Sequence, residues 1–436
     1  MKPSVLKRGF PKLAIGRPAQ DSEIAQTSGF TIFRIFVVTY AICYFVVPIL
    51  GYVDENWIAI SAQYQRDVIP VVVLVSAFAF LAFLLGYASN TWRSPWIKKA
   101  AKTKIREDRL LPAWLWTTGG ALVIWVWLVW TLGWTEIFEH REVAFEYKGM
   151  LLYSYLGLCA YSAVLSLLIY KIRGSKSILF IEAALLVVLG FGGRGQLVDY
   201  SLAVCLLASP EVIRKLWSPA HSSIFRYWPI VLILSAGIGL VFLRSNQTAS
   251  SSNVKTAIKD TFGDGEMFAL VYNFYSGHLL NGRTIWEIRY IFMPRQFFPD
   301  KPVIYGNGVF EDDLAFDKIY GSESLASSTF GILAELYANF GHIGLFAGML
   351  AWGWAYAFLE NFRRTPLRSF AFFIYLVVFM DQFWSFRHGL LGLVQIFTVP
   401  VLMCPIFFKV LYGRPRQRFR RYLPRPAFSE IPVNTR

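Results

Sequence analysis

The chain has 436 residues, 55% of them hydrophobic, 17% aromatic and only 16% charged, with a mean hydropathy of +0.44. So little polar material cannot cover a soluble domain, and the composition leaves an all-α polytopic membrane protein. The 43 basic and 28 acidic residues give a net charge of +15, which would suit a nucleic-acid binder only if it were gathered into one patch.

The charge is spread instead. Residues 1–29 are basic, broken by Pro3, Pro11 and Pro18, and lack the apolar core of a signal peptide, so they read as a cytoplasmic tail. Apolar windows follow at about 31–53, 68–91, 113–133, 149–170, 177–192, 195–209, 228–243, 328–359, 370–386 and 389–412, which predicts about ten transmembrane helices. The expected division is seven spans over 30–243, a large outer loop over 244–327, three spans over 328–412 and a basic tail over 413–436.

With the N-terminus inside, every inside segment is net positive: Arg93 to Arg109, Lys171 to Lys176, Arg214 to Arg226, Arg363 to Arg368 and Arg414 to Arg425. The outside segments carry Asp54, Glu55, Asp67, Glu136, Glu139, Glu142 and Glu146. The basicity is therefore topogenic, and it places both termini in the cytoplasm. Cys43, Cys159, Cys205 and Cys404 all fall in apolar runs without paired spacing, which indicates core filling and neither disulfides nor zinc.

Two of the apolar runs flank Gly192-Gly193-Arg194-Gly195-Gln196. Each is only about 15 residues, roughly 22 Å of helix against a hydrocarbon core of about 30 Å, which puts Arg194 below the membrane surface. A charge there costs about 2.5–3.5 kcal/mol and needs protein, water or an anion beside it. The flanking glycines allow close backbone approach, and a helix starting at Gly195 would direct free N–H groups to the same place, as a diphosphate seat requires. Asp199, one turn on, is the structural alternative as its partner.

Further arginines fall on the outer side of this topology: Arg244 at the exit of the seventh span, Arg283, Arg289 and Arg295 in the long loop, and Arg387 between the last two spans. Outside arginines oppose the topogenic bias. A guanidinium binds phosphate oxygens through two parallel hydrogen bonds and keeps its charge, whereas snorkelling to headgroups is the plainer reading of any single one. The loop itself is expected to hold short amphipathic helices near Gly265–His278 and Arg283–Met293, able to lie on the membrane surface and roof a cavity.

For acid–base work the outer side offers Glu266, His278, Glu335, Asp381 and His388, with His342 deeper in its span. Glu335, Asn339 and His342 at i, i+4 and i+7 are expected to share one helix face. Glu311, Asp312 and Asp313 resemble a solvated acidic turn more than a metal site, so no metal and no cofactor is expected. The chain has no Walker loop, HExxH, GxSxG or paired CxxC, so ATP-driven transfer and zinc or serine hydrolysis lack support.

The arginine turn after a short fifth span, Phe242-Leu243-Arg244, Tyr290-Ile291-Phe292-Met293-Pro294, Phe298-Pro299-Asp300-Lys301-Pro302, Ser328-Thr329-Phe330-Gly331 and the run from Glu335 to Gly344 together resemble the Wzy-type bacterial polysaccharide polymerases. The similarity covers roughly residues 177–400, and about twelve spans are common in that family. The resemblance implies a metal-independent, inverting glycosyltransferase of the type C kind in the bacterial inner membrane, with its site facing the periplasm. It would join undecaprenyl-diphosphate-linked oligosaccharides, as in O-antigen synthesis, beside a chain-length regulator and a flippase. On this reading Arg194, Arg244 and Arg387 stabilise the leaving diphosphate, with Arg289 as a fourth, and Glu266 or His388 takes the proton of the attacking hydroxyl. Arg295, His278 and Glu335 would face the substrate. A lipid-linked glycan ligase, a polyprenyl-monophosphate-sugar enzyme and a polyprenyl-linked glycan transporter or flippase are the alternatives.

Overall fold

A computed structural model describes residues 31–54, 66–90, 95–133, 141–175, 177–188, 200, 203–204, 207, 262–292, 308–314, 330–380 and 389–412. Among the described residues the secondary structure is helical, with a single isolated bridge between Lys104 and Ser369. Among the described residues five helices are long and apolar enough to cross a membrane: α1 (Ile32–Val53), α2 (Arg66–Ser89), α4 (Glu107–Leu132), α5 (Arg141–Arg173, its apolar part Ser154–Arg173) and α10 (Gly331–Arg363). Shorter apolar helices occupy three more of the expected windows, at α6 (Ser177–Val188), α11 (Phe370–Phe379) and the end of α12 (Gly389–Tyr412). The windows at 195–209 and 228–243 lie largely or wholly outside the described residues. Leu115, Trp116, Val123, Val126 and Trp130 on α4 are exposed, which suits a lipid environment.

α1 is not one regular helix. Residues Ile42–Val46 are wound as a π-helix in which the Val47 N–H bonds back to the Ile42 carbonyl. Pro48 follows and cannot donate, so the ladder is already interrupted here and the wider turn accommodates the loss. Against this irregular stretch packs α7 (Asp264–Phe274), where a Cβ on Gly265 would meet the Cys43 carbonyl at 2.5 Å and Pro48 Cγ at 2.5 Å. Only glycine lets the two backbones come this close.

That contact revises one expectation. α7 does not lie on the surface as an amphipathic roof: Phe268, Ala269 and Val271 are completely buried, and the helix packs among α1, α2 and α10. Phe268 meets Tyr44 edge-on with centroids 6.5 Å apart, and Tyr272 stacks on Tyr337 at 4.6 Å.

Among the described residues the most extensively packed helix pair is α2 against α10. A Cβ on Gly86 would overlap the Leu350 carbonyl, and one on Gly353 would overlap the Phe83 carbonyl. Glycines on both partners let the backbones touch, and in lipid such close packing replaces the hydrophobic drive that water would supply. A cluster of Phe33, Phe36, Tyr40, Phe83, Tyr87 and Tyr356 rings fills the space beside it.

The basic segments meet at one end of the bundle. The Ile105 N–H donates to the Arg368 carbonyl at 2.8 Å, the Phe370 N–H to Thr103 at 3.1 Å, and the Arg106 N–H to Leu411 at 3.0 Å. Arg109 donates to the Val410 carbonyl at 2.7 Å, and Arg368 pairs with Glu107. α3 (Pro95–Lys102), carrying Lys98, Lys99 and Lys102, packs nearby against α11. Between α4, α5 and α6 lies a buried carboxylate, Glu182, which accepts from the Trp114 indole at 2.7 Å and the Ser162 hydroxyl at 2.8 Å.

Candidate functional site

At the other end of α10 the helix breaks. Gly341 has φ 63° and ψ −155°, and the Ala338 carbonyl accepts instead from the Leu280 N–H at 2.8 Å. The donor comes from a tight turn in which Asn281 (φ 50°) and Gly282 (φ 84°) both take left-handed conformations, the usual use of an Asn-Gly pair. Phe340 covers that turn, its Cζ 3.2 Å from where a Cβ on Gly282 would be.

The turn launches α8 (Arg283–Glu287), which tightens into a 3-10 segment over Ile288–Phe292. Thr284 is buried and anchors it. Its hydroxyl donates to Glu335 Oε1 at 2.9 Å and accepts from Asn339 Nδ2 at 2.7 Å, and its N–H donates to Asn339 Oδ1 at 3.3 Å. Glu335 is 0% exposed, and its Oε2 accepts the Leu390 N–H in the first turn of α12. A buried carboxylate is costly, and here it is compensated by a hydroxyl and by the positive end of a helix. One side chain thus joins the segment bearing Arg289, the buried half of α10, and the start of α12.

The expected common face of Glu335, Asn339 and His342 is only partly present. Glu335 and Asn339 share Thr284, whereas the break at Gly341 carries His342 to an exposed position, its Nε2 3.2 Å from the Tyr272 hydroxyl and its ring edge-on to Tyr337. Regular i, i+4, i+7 geometry does not survive a glycine with positive φ.

The other predicted residues fall as follows. Glu266 is 1% exposed, in the first turn of α7 beside the close contact with α1. Its position at a helix N-terminus suits a carboxylate. His278 is exposed and packs on Phe274 and Tyr275, with ring centroids 5.0 and 5.4 Å away. Arg289 is exposed and lies over the Trp286 ring at 4.4 Å and the Tyr290 ring at 4.9 Å. Arg194, Arg244, Arg295, Arg387 and His388 lie outside the described residues, as do Asp199 and Asp381.

Arg283 bonds Glu287 at 3.0 Å, and that bond raises its pKa further. Asp313, at the end of α9 (Gly308–Asp313), accepts from the Tyr275 hydroxyl at 2.6 Å. Burial, reinforced by this carboxylate, holds the Tyr275 phenol well above its ordinary range.

Thr284, the Leu390 amide, Tyr272 and Trp286 were not singled out by sequence reasoning. The Asn281-Gly282 pair was a usable turn signal for the first of them. Glu182 was likewise passed over, although an acid inside an apolar run is a signal in itself. Comparison of the chain with protein-family models, curated proteins and solved structures returned no match.

Proposed function

We propose that the chain polymerises lipid-linked oligosaccharide repeat units, moving a growing glycan from undecaprenyl diphosphate to an incoming unit on the outer face of a bacterial inner membrane. The observation that carries the reading is the Glu335 junction. It holds the segment bearing Arg289 against the first turn of α12, and that turn follows Arg387 and His388 directly in the chain. Of the residues proposed on sequence grounds to serve one diphosphate, Arg289 lies on a segment anchored to this carboxylate, and Arg387 is near in sequence to the α12 turn anchored to it.

The chemistry follows from the leaving group. Breaking the sugar–diphosphate bond builds negative charge on the diphosphate, and fixed guanidinium groups stabilise it most where water is excluded. Arg194, Arg244, Arg289 and Arg387 are assigned this role. The acceptor hydroxyl loses its proton as it attacks, to Glu266 or His388. Ten spans, a type C arrangement and cytoplasmic termini belong to this proposal.

The test is the surface-glycan ladder of a deletion strain. A single capped repeat unit in place of the ladder supports the polymerase. Normal-length polymer left on its lipid would make the chain a ligase, and repeat units trapped on the cytoplasmic face would make it a transporter.

A further inference from the structure

Thr284 fixes one side of α8, and Trp286 lies two residues on, about 200° around the helix axis. Trp286 is accordingly turned outward and is 67% exposed, although it sits on a turn pinned by Glu335 and Asn339. The 3-10 winding that begins at Ile288 brings positions three apart nearly into line, and Arg289 folds back over the Trp286 ring. Its Nη2 also donates to the Tyr290 hydroxyl at 3.1 Å. The guanidinium thus lies over two aromatic rings, with one N–H bonded to the Tyr290 hydroxyl.

We propose that Trp286, Arg289 and Tyr290 form a glycan-docking platform, in which a pyranose ring of the lipid-linked substrate stacks on Trp286 while Arg289 holds an adjoining phosphate or carboxylate. This rests on the polymerase reading for the identity of the glycan carrier. A pyranose presents one face of C–H groups that packs on an electron-rich ring, and a cation beside that ring leaves its outer part open to such a contact.

Tryptophan and arginine also occur together at membrane interfaces, where the arginine extends toward headgroups and the ring needs no fixed orientation. The arrangement here differs on both counts. Arg289 turns back onto its neighbours, and the turn is registered by the Leu280–Ala338 bond, the left-handed Asn281 and Gly282, and the three Thr284 bonds. Adjacent Arg283 is already matched by Glu287.

The experiment uses the full-length chain in phosphatidylethanolamine–phosphatidylglycerol nanodiscs with two probes, farnesyl diphosphate and the same lipid bearing a disaccharide. The glycan-bearing probe should bind more tightly than the bare one, with saturation transfer to sugar C–H protons. Trp286→Ala should weaken that probe roughly tenfold more than it weakens the bare diphosphate, while Trp286→Phe should retain most of the difference. Equal affinity for both probes, or equal loss of both on Trp286→Ala, overturns the platform, as does a variant whose only defect is weaker retention in the bilayer. Arg289→Lys should weaken both probes, because it keeps the charge and loses the planar fork. Sugar-dependent binding in a wild-type protein that fails to elongate a lipid-linked repeat unit supports the platform and rejects the polymerase.

Discussion

The Thr284 hydroxyl donates to Glu335 Oε1 at 2.9 Å across 51 positions of sequence, and the same carboxylate caps the first turn of α12. Glu335→Ala leaves a buried hydroxyl without its acceptor, at about 1–3 kcal/mol, and frees a partly buried amide at less than that. Thermal unfolding of the detergent-purified protein should fall accordingly. Glu335→Gln, which keeps one acceptor, should recover part of the loss. An Ala variant as stable as wild type would show that the carboxylate does not hold these segments together.

The close crossing of α2 and α10 makes a steric prediction. Gly353→Ala drives a methyl into the Phe83 carbonyl and Gly86→Ala into Leu350, costing about 1–3 kcal/mol each through forced helix separation. Gly119→Ala is the control, since nothing lies within 4 Å of a Cβ there. Comparable melting temperatures for all three variants would contradict the observed approach.

Glu182 joins three helices through Trp114 and Ser162. Glu182→Leu strands both donors in an apolar setting and should lower the yield of folded protein, while Glu182→Gln should largely preserve it. Size-exclusion profiles in mild detergent distinguish the two. Identical profiles would mean that the carboxylate does not hold the helices.

The Tyr275–Asp313 bond carries a pH signature. Burial raises the Tyr275 pKa in the folded state, so its contribution is complete below the ordinary tyrosine value of about 10 and is lost only as pH rises past that toward the folded value. The stability difference between wild type and Tyr275→Phe should therefore be flat from about pH 6 to 9. A difference that shrinks within that window would contradict the pairing.

Arg194→Ala should abolish polymer in cells while the protein remains in the membrane at wild-type abundance, read from the glycan ladder and a membrane immunoblot together. Wild-type polymer in that strain would end the diphosphate role proposed for Arg194, and loss of the protein from the membrane would support the Asp199 pairing instead.

The spans that hydropathy alone defines, α1, α2, α4, α5 and α10, were legible in the sequence because twenty apolar residues in lipid have few choices other than a helix. The short helices near Gly265 and Arg283 were legible too, but the burial of α7 was not. It depends on Gly265 meeting the π-wound turn before Pro48, a contact between segments more than two hundred positions apart. Periodicity located Glu335 and Asn339 on one face and misplaced His342, since it does not report a helix break at Gly341. Trp286 was invisible for a simpler reason, because its exposure follows from how Thr284 is anchored.

The break at Gly341 also separates two kinds of length. Residues 342–363 alone reach roughly 33 Å, enough to cross the hydrocarbon layer without the preceding turns. That half is fastened to α2 through the Gly86–Leu350 and Gly353–Phe83 contacts, so the two helices cross as one unit. The turns before the break are fastened elsewhere, to Thr284 and Leu390. One left-handed glycine thereby divides α10 into a part whose length matches the hydrocarbon layer and a part given over to the Glu335 junction.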